Sequence, residues 1–257
     1  MEDLDIFIIA GQSNAVGCTN VDTLDKKHRF YYAPHVYLYE EGNFAYYYTN
    51  RIIKGITCNM GCYDMQMGIE YGISYRINGK TNKTIGLIRY AYGGTTLFHH
   101  WKPDYKKVPD NIEDYGSCYF NFCKTMENGL KAYRNAGFNP IIRGMVWMQG
   151  ETDAVIEERA IAYKNNLEHI FSCFRKELNI PDLKIIVGEI ATRSPLSPFS
   201  DIVRESQKQV CEKDKNCVFL STKNIKIGHD SYHFDGNEDF KLGKKFGDEM
   251  LRLIDVN

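Results

Sequence analysis

Five short apolar runs, at 5–10, 84–91, 144–149, 184–189 and 217–221, constrain this chain more than any other feature. They are too short to be helices, and they are continuous rather than alternating. Runs of this kind suit strands buried on both faces of a parallel sheet. Helical patterns lie between them. One covers 67–77. A second covers 119–133, with Phe122, Met126, Leu130 and Tyr133 at helical spacing. A third runs over 155–178, with Ile161, Leu167, Ile170 and Phe174 on one side, and two more cover 202–211 and 240–254. Strands alternating with helices predict an α/β layered fold around a parallel sheet of five strands.

Residues 18–65 break the alternation. They are rich in Tyr, Asn and Gly (Tyr31, Tyr32, Tyr37, Tyr39, Tyr46, Tyr47, Tyr48) and contain one plausible strand at 36–39 and no clear helix. A long aromatic insertion on a rigid scaffold reads either as a binding rim or as a surface excursion packed by its own side chains. The chain shows no internal repeat, low-complexity tract or linker, so 1–257 is expected to be one domain carrying this Tyr-rich insertion.

Composition narrows the function classes. Apolar residues at 43% and charged residues at 25% are ordinary for a soluble globular protein. A formal net charge of -1 argues against a nucleic-acid partner. No apolar stretch approaches the ~20 residues that span a bilayer, so no membrane partner is expected. The start, Met1-Glu2-Asp3-Leu4-Asp5, is acidic and unlike a secretory signal, which implies a cytoplasmic protein. The eight cysteines then read as reduced, mostly buried thiols. Cys58 and Cys62 have no second pair at zinc-ribbon spacing, and none of the cysteines sits in a segment that looks catalytic.

Ligands of open parallel sheets bind outside the carboxyl ends of the strands. The segments found there are Gly11-Gln12-Ser13-Asn14, Tyr92-Gly93-Gly94-Thr95-Thr96 with His99-His100-Trp101 beyond, Gln149-Gly150-Glu151-Thr152-Asp153, Thr192-Arg193, and the stretch leading to Asp230 and His233. Together they contain the parts of a nucleophilic hydrolase. Ser13 is a candidate nucleophile exposed on a turn, His233 a candidate base, and Asp230 its orienting partner. The backbone N–H groups of Ser13 and Gly94 and the amide of Gln149 are candidate oxyanion donors. His229 is a competing base without a carboxylate three residues before it.

Other readings weigh less. Ser13 and Asp230 could cap a helix and a turn. His229 and His233 lie four apart, but Gly228 and the lack of a HExxH glutamate speak against a metal site. Glu151 and Asp153 as a glycosidase pair would diverge on a strand, so Glu151 is expected to fix its loop by hydrogen bonding. Trp101 could stack on a sugar or lie in the core, and Arg193 could meet an acidic substrate or make a surface ion pair. Residues 11–17 lack the P-loop and dinucleotide-loop spacings, so no cofactor is expected.

The four blocks carry a resemblance. Gly11-Gln12-Ser13-Asn14 is similar to the first block of the SGNH hydrolases, a flavodoxin-like esterase superfamily. Gly93-Gly94-Thr95 with Trp101 resembles the second block. Trp147-Met148-Gln149-Gly150-Glu151-Thr152-Asp153 resembles the WxQGExD segment of one branch, and Asp230-Ser231-Tyr232-His233 the closing DxxH block. That branch contains sialate O-acetylesterases and family 6 acetyl xylan esterases. The resemblance implies a three-layer α/β/α sandwich with a five-stranded parallel sheet. It makes Ser13 the nucleophile, His233 the base and Asp230 its partner, with Ser13, Gly94 and Gln149 as the oxyanion hole. Gln12, Gly93, Trp101, Glu151 and Arg193 would bind substrate or support the site.

The implied function is a serine esterase that removes O-acetyl groups from a sialic acid, polysaccharide or oligosaccharide through an acyl-enzyme. A lipid, thioester or aryl-ester hydrolase, an acetyltransferase, and a carbohydrate-binding protein with a silent site are the alternatives. The role of His99-His100, the sugar and the oligomeric state stay open.

Overall fold

The computed structural model describes residues 1–41, 51–192 and 195–254. Tyr46, Tyr47, Tyr48 and Arg193 lie outside the described residues. In chain order the elements are β1 (Glu2–Gly11), α1 (Ser13–Val16), β2 (Thr19–Asn20), β3 (Ala33–Glu40), β4 (Arg51–Ile56), β5 (Gln66–Met67), α2 (Ile69–Asn78) and β6 (Ile85–Ala91). There follow α3 (Ser117–Asn135), β7 (Phe138–Met148), α4 (Glu157–Glu177), β8 (Lys184–Gly188), α5 (Ser200–Lys213), β9 (Cys217–Leu220) and α6 (Gly236–Leu253).

The fold is α/β, with helices on both faces of a mostly parallel sheet. β1 shows why its run is continuous. Ile6, Ile8 and Ala10 pack into the core under α3, α4 and α5, while Phe7 and Ile9 pack into the core under α2 and α6. Successive strand side chains point to opposite faces, so two buried faces demand apolar residues at every position. All five expected helices form, each within a few residues of its pattern. Ile161 is the exception to the patterning: it is 64% exposed. It lies six residues before Leu167, which at roughly 100° per residue points it about 120° away from the buried stripe.

Among the described residues the sheet has seven strands, not the five expected, in the order β4-β3-β6-β1-β7-β8-β9. The two additional strands come from the Tyr-rich segment. β3 pairs parallel with β6, and β4 closes that edge antiparallel to β3. The described residues of 18–65 therefore contribute to the sheet as well as to loops. β4 escaped notice because an edge strand reading Arg-Ile-Ile-Lys-Gly-Ile carries only a short apolar signal. The five expected strands form the order β6-β1-β7-β8-β9. The chain leaves β1 toward β6 on one side and then continues to β7 on the other. The crevice at this reversal is where such sheets place their ligands.

Two further features depart from expectation or hold the sheet edge. Cys211 at the end of α5 and Cys217 at the start of β9 form a disulfide, with Cα atoms 4.7 Å apart, so the expectation of eight reduced thiols is corrected to six free cysteines. No described helix is long and apolar enough to cross a membrane. On β6, Arg89 is buried and joins three elements. It donates to Glu40 at the end of β3 and to the Met60 carbonyl (2.7 Å), and its Nη1 lies 3.0 Å from Glu70 of α2. Glu70 is fully buried, and burial raises its pKa against the pull of Arg89. Arg89→Met removes the cation and leaves a buried carboxyl behind. We expect a loss of about 3 kcal/mol or more in urea unfolding, the usual effect of breaking one side of a buried pair. A change within about 0.5 kcal/mol, as at ordinary surface positions, would show that the cluster adds no stability.

Candidate active site

Ser13 stands where β1 ends against its neighbours. A Cβ on Gly11, at φ 147°, would meet the Met148 carbonyl oxygen of β7 at 1.8 Å, so only glycine allows this approach. Gln12 N donates to that carbonyl (2.8 Å), and Tyr92 N donates to Gly11 O (3.1 Å). The chain then turns into α1, held by Ala15 N and Val16 N donating to Gln12 O. Because α1 begins at Ser13, its N–H has no intrahelical acceptor and is free for a ligand.

A cleft of about 450 Å³ opens here. Gln12, Ser13, Gly93, Gly94, Glu151 and His233 line it, so four separated blocks of the sequence meet at one place. Gly94 has φ 72° and open space where a side chain would stand, which leaves its backbone accessible. His233 is presented by a tight loop. Ile227 bridges to Phe234, Gly228 N donates to His233 O (2.7 Å), and Ser231 takes φ 65°. Asp230 organises that loop. Its Oδ1 accepts from Tyr232 N and His233 N (both 2.9 Å), and its Oδ2 lies 2.6 Å from His233 Nδ1. Burial works to raise the Asp230 pKa, but the two N–H groups and the His233 ring outweigh it and hold the carboxyl below its ordinary value. No hydrogen bond joins Ser13 to His233 among the described residues; such bonds are often long before substrate arrives. The competing His229 is exposed and does not line the cleft.

The third block builds the support. Glu151 Oε1 accepts from Asn14 Nδ2 (2.7 Å), and the same amide reaches Tyr232 O (3.2 Å). Asn14 thus ties the first block to the third and to the histidine loop. Glu151 is buried, its carboxyl raised by burial against its own backbone N–H, Asn14 and the His233 charge. Its bond to Asn14 joins the third block to the first.

Asp153 is also buried and faces the second block rather than Glu151. It accepts from Leu97 N (2.9 Å), Phe98 N (3.1 Å) and Gln149 Nε2 (2.6 Å). Burial pushes the Asp153 carboxyl up to about 6 against these donors. Its folded pKa thus lies above the ordinary ~3.9, and the folded state holds the proton better than the unfolded chain. This one group therefore weakens the fold as pH climbs from about 4 to about 6.

Gln149 sits deeper than its assigned role requires, and Trp101 takes the core position that was one of its two readings. Gln149 is fully buried and does not line the cleft. Its Nε2 donates to Asp153 and to Thr95 O (3.1 Å), with Gln12 Oε1 at 3.3 Å, so both amide protons already face protein acceptors. As it stands here, Gln149 holds the second and third blocks together and offers no proton to an oxyanion. Trp101 is fully buried beside Trp147, with Nε1 donating to Thr95 Oγ1 (3.2 Å). It supports the loop of Gly93 and Gly94 from below and cannot stack on a sugar. The rest of the cleft wall, Val16, Cys18, Cys62, Tyr63, Thr152, Val155 and Tyr232, was not singled out from the sequence. Three of these, Cys18, Cys62 and Tyr63, come from the Tyr-rich segment, which was read as either a rim or a surface excursion.

Several known proteins are similar to this chain in sequence or fold. A Probable carbohydrate esterase, At4g34215 of Arabidopsis thaliana, is 28% identical over 167 residues, which are 65% of this chain and 55% of that protein. The chain thus spans about half the length of the curated relative it matches. The X-ray structure of that Arabidopsis protein superposes with a TM-score of 0.74 at 21% identity, covering 99% of this chain and 100% of the other. NanS gives a TM-score of 0.70 at 14% identity over 98% of each chain. XAC1771, a carbohydrate acetylesterase from Xanthomonas citri, gives 0.67 at 17% identity over 96% of this chain and 55% of its own. These structures share the fold. The sequence pattern described as "Carbohydrate esterase, sialic acid-specific acetylesterase" matches residues 3–252, nearly the whole chain and all four blocks. This chain belongs to that carbohydrate esterase family.

Proposed function

We propose that this chain hydrolyses O-acetyl esters of a carbohydrate through an acyl-enzyme on Ser13. The observation that carries the reading is the Asp230–His233 pair, 2.6 Å apart, opening onto the same cleft as Ser13. Asp230 on Nδ1 leaves Nε2 of His233 to accept the Ser13 proton as Oγ attacks the acetyl carbonyl. The N–H groups of Ser13 and Gly94 face the oxyanion. Collapse expels the sugar oxygen, which takes the proton from His233 and leaves acetyl-Ser13. Water, deprotonated by His233, then attacks the acyl carbonyl and frees acetate.

The test is acetate release from acetylated xylan, O-acetylated sialic acid and other O-acetyl sugars, with acyl-length controls. We expect p-nitrophenyl acetate to be turned over better than the octanoate by roughly 10² or more, since each misfitting methylene is worth ~1–3 kcal/mol. Equal or faster octanoate hydrolysis would move the assignment to a lipid or thioester hydrolase. An absence of any acetate release would favour a silent binding site.

A further inference from the structure

Two sulfurs in the cleft wall have no part in the ester chemistry. Cys18 follows the turn that ends α1, and Cys62 precedes Tyr63 in the same cleft lining. Their Sγ atoms are 2.7 Å apart, about 0.7 Å longer than a disulfide bond. The backbone already holds them together, because Cys62 N donates to Gly17 O (2.9 Å). We propose that Cys18 and Cys62 form a reversible disulfide that locks the wall of the active-site cleft.

The surroundings fit a dithiol rather than a metal site or an inert pair. No group of three His, Cys, Asp or Glu side chains that could hold a metal exists among the described residues. Cys58, the other cysteine of this segment, has its Sγ turned to Arg29 O (2.9 Å). The Cys62 thiol is lowered, first by its contact with Cys18 and further by Arg89, while Cys18 is raised. Cys62 is buried and its Sγ also donates to Gln66 Oε1 (2.8 Å), while Cys18 is the more exposed of the pair. Both residues line the cleft, Cys18 half-buried and Cys62 buried, so a small oxidant reaches the pair from the side of Cys18.

With a low-molecular-weight disulfide such as oxidised glutathione, one thiolate of the pair attacks one sulfur and expels one thiol. The second cysteine then attacks the protein sulfur of the mixed disulfide and expels the second. The two cysteine protons end on the two released thiols. The protein pair is oxidised by two electrons and the small disulfide is reduced. The bond closes a separation of 44 residues and joins the end of α1, which begins at Ser13, to the segment bearing Tyr63. Any effect on substrate entry rests on the esterase reading; the bond itself does not.

The test uses the whole chain equilibrated in buffers of reduced and oxidised glutathione, quenched with acid and alkylated, then digested with trypsin for mass spectrometry. We expect the peptide holding Cys18 to be joined to the one holding Cys62, with the loss of two hydrogens. Cys58→Ser retains a donor to Arg29 O and should keep the link, which assigns the sulfur within the shared peptide. Cys62→Ser should lose it. Oxidised wild-type protein should melt about 5 °C or more above oxidised Cys18→Ser, since a cross-link restricts the unfolded chain. Full alkylation of both thiols under oxidising buffer, a link that survives in Cys62→Ser, or glutathione stably held on either cysteine would each overturn the proposal.

Discussion

Ser13→Ala should fold like the wild type and lose nearly all esterase turnover. The fold should survive because no described hydrogen bond uses the Ser13 hydroxyl. The turn is held instead by Gln12 O and by the glycine contact at Gly11. Alanine also suits the first position of α1. Turnover should collapse because the covalent route disappears, and a loss approaching ~10⁶ accompanies removal of a triad serine in another enzyme. Residual hydrolysis would come from binding and from the Ser13 and Gly94 N–H groups, which the variant keeps. Circular dichroism and p-nitrophenyl acetate kinetics check both halves. A correctly folded variant with more than about a tenth of wild-type activity, far above that loss, would remove Ser13 as nucleophile. Labelling by an organophosphate at Ser13, followed by peptide mapping, gives an independent reading.

His233→Ala should be as damaging as loss of the serine, because no other described imidazole lines the cleft. Asp230→Asn separates two roles of the carboxylate. The asparagine oxygen can still accept one bond in the loop, but it supplies no charge to stabilise the imidazolium, and triad asparagine variants elsewhere lose ~10⁴ in kcat. We expect Asp230→Asn to fall less far than His233→Ala.

Wild-type activity should decline on acidification, since a protonated ring has no lone pair for the serine proton. Asp230 is not the group that fails there. Its carboxyl is held below the ordinary value, so its stabilising contacts are present above the unfolded pKa and are lost only as pH falls through the lower folded one. A flat pH profile down to the carboxylate range, or a His233→Ala variant with near-normal turnover, would exclude His233 as the base.

The sequence by itself determined the layered fold and the four blocks. Runs such as Ile6 to Ala10 are apolar throughout because both sheet faces are buried, and that signal is local. The Asp230–His233 contact was also local, since three residues in a tight loop bring the two side chains together. What tertiary structure alone decided involved distance along the chain or depth in the fold. β4 has a weak pattern of its own and becomes a strand only by pairing with β3. Trp101 and Gln149 each carry groups suited to a ligand, and only packing shows that Thr95 and Asp153 engage those groups first. Asn14 looked like the end of a motif until Glu151 and Tyr232, more than a hundred residues away, closed around its amide. The meeting of Cys18 with Cys62 has the same origin: the residues are far apart in the chain, and a backbone bond from Cys62 to Gly17 brings them together. Hydrophobic periodicity reports which face of an element is buried, but not which polar atoms meet once the faces have packed.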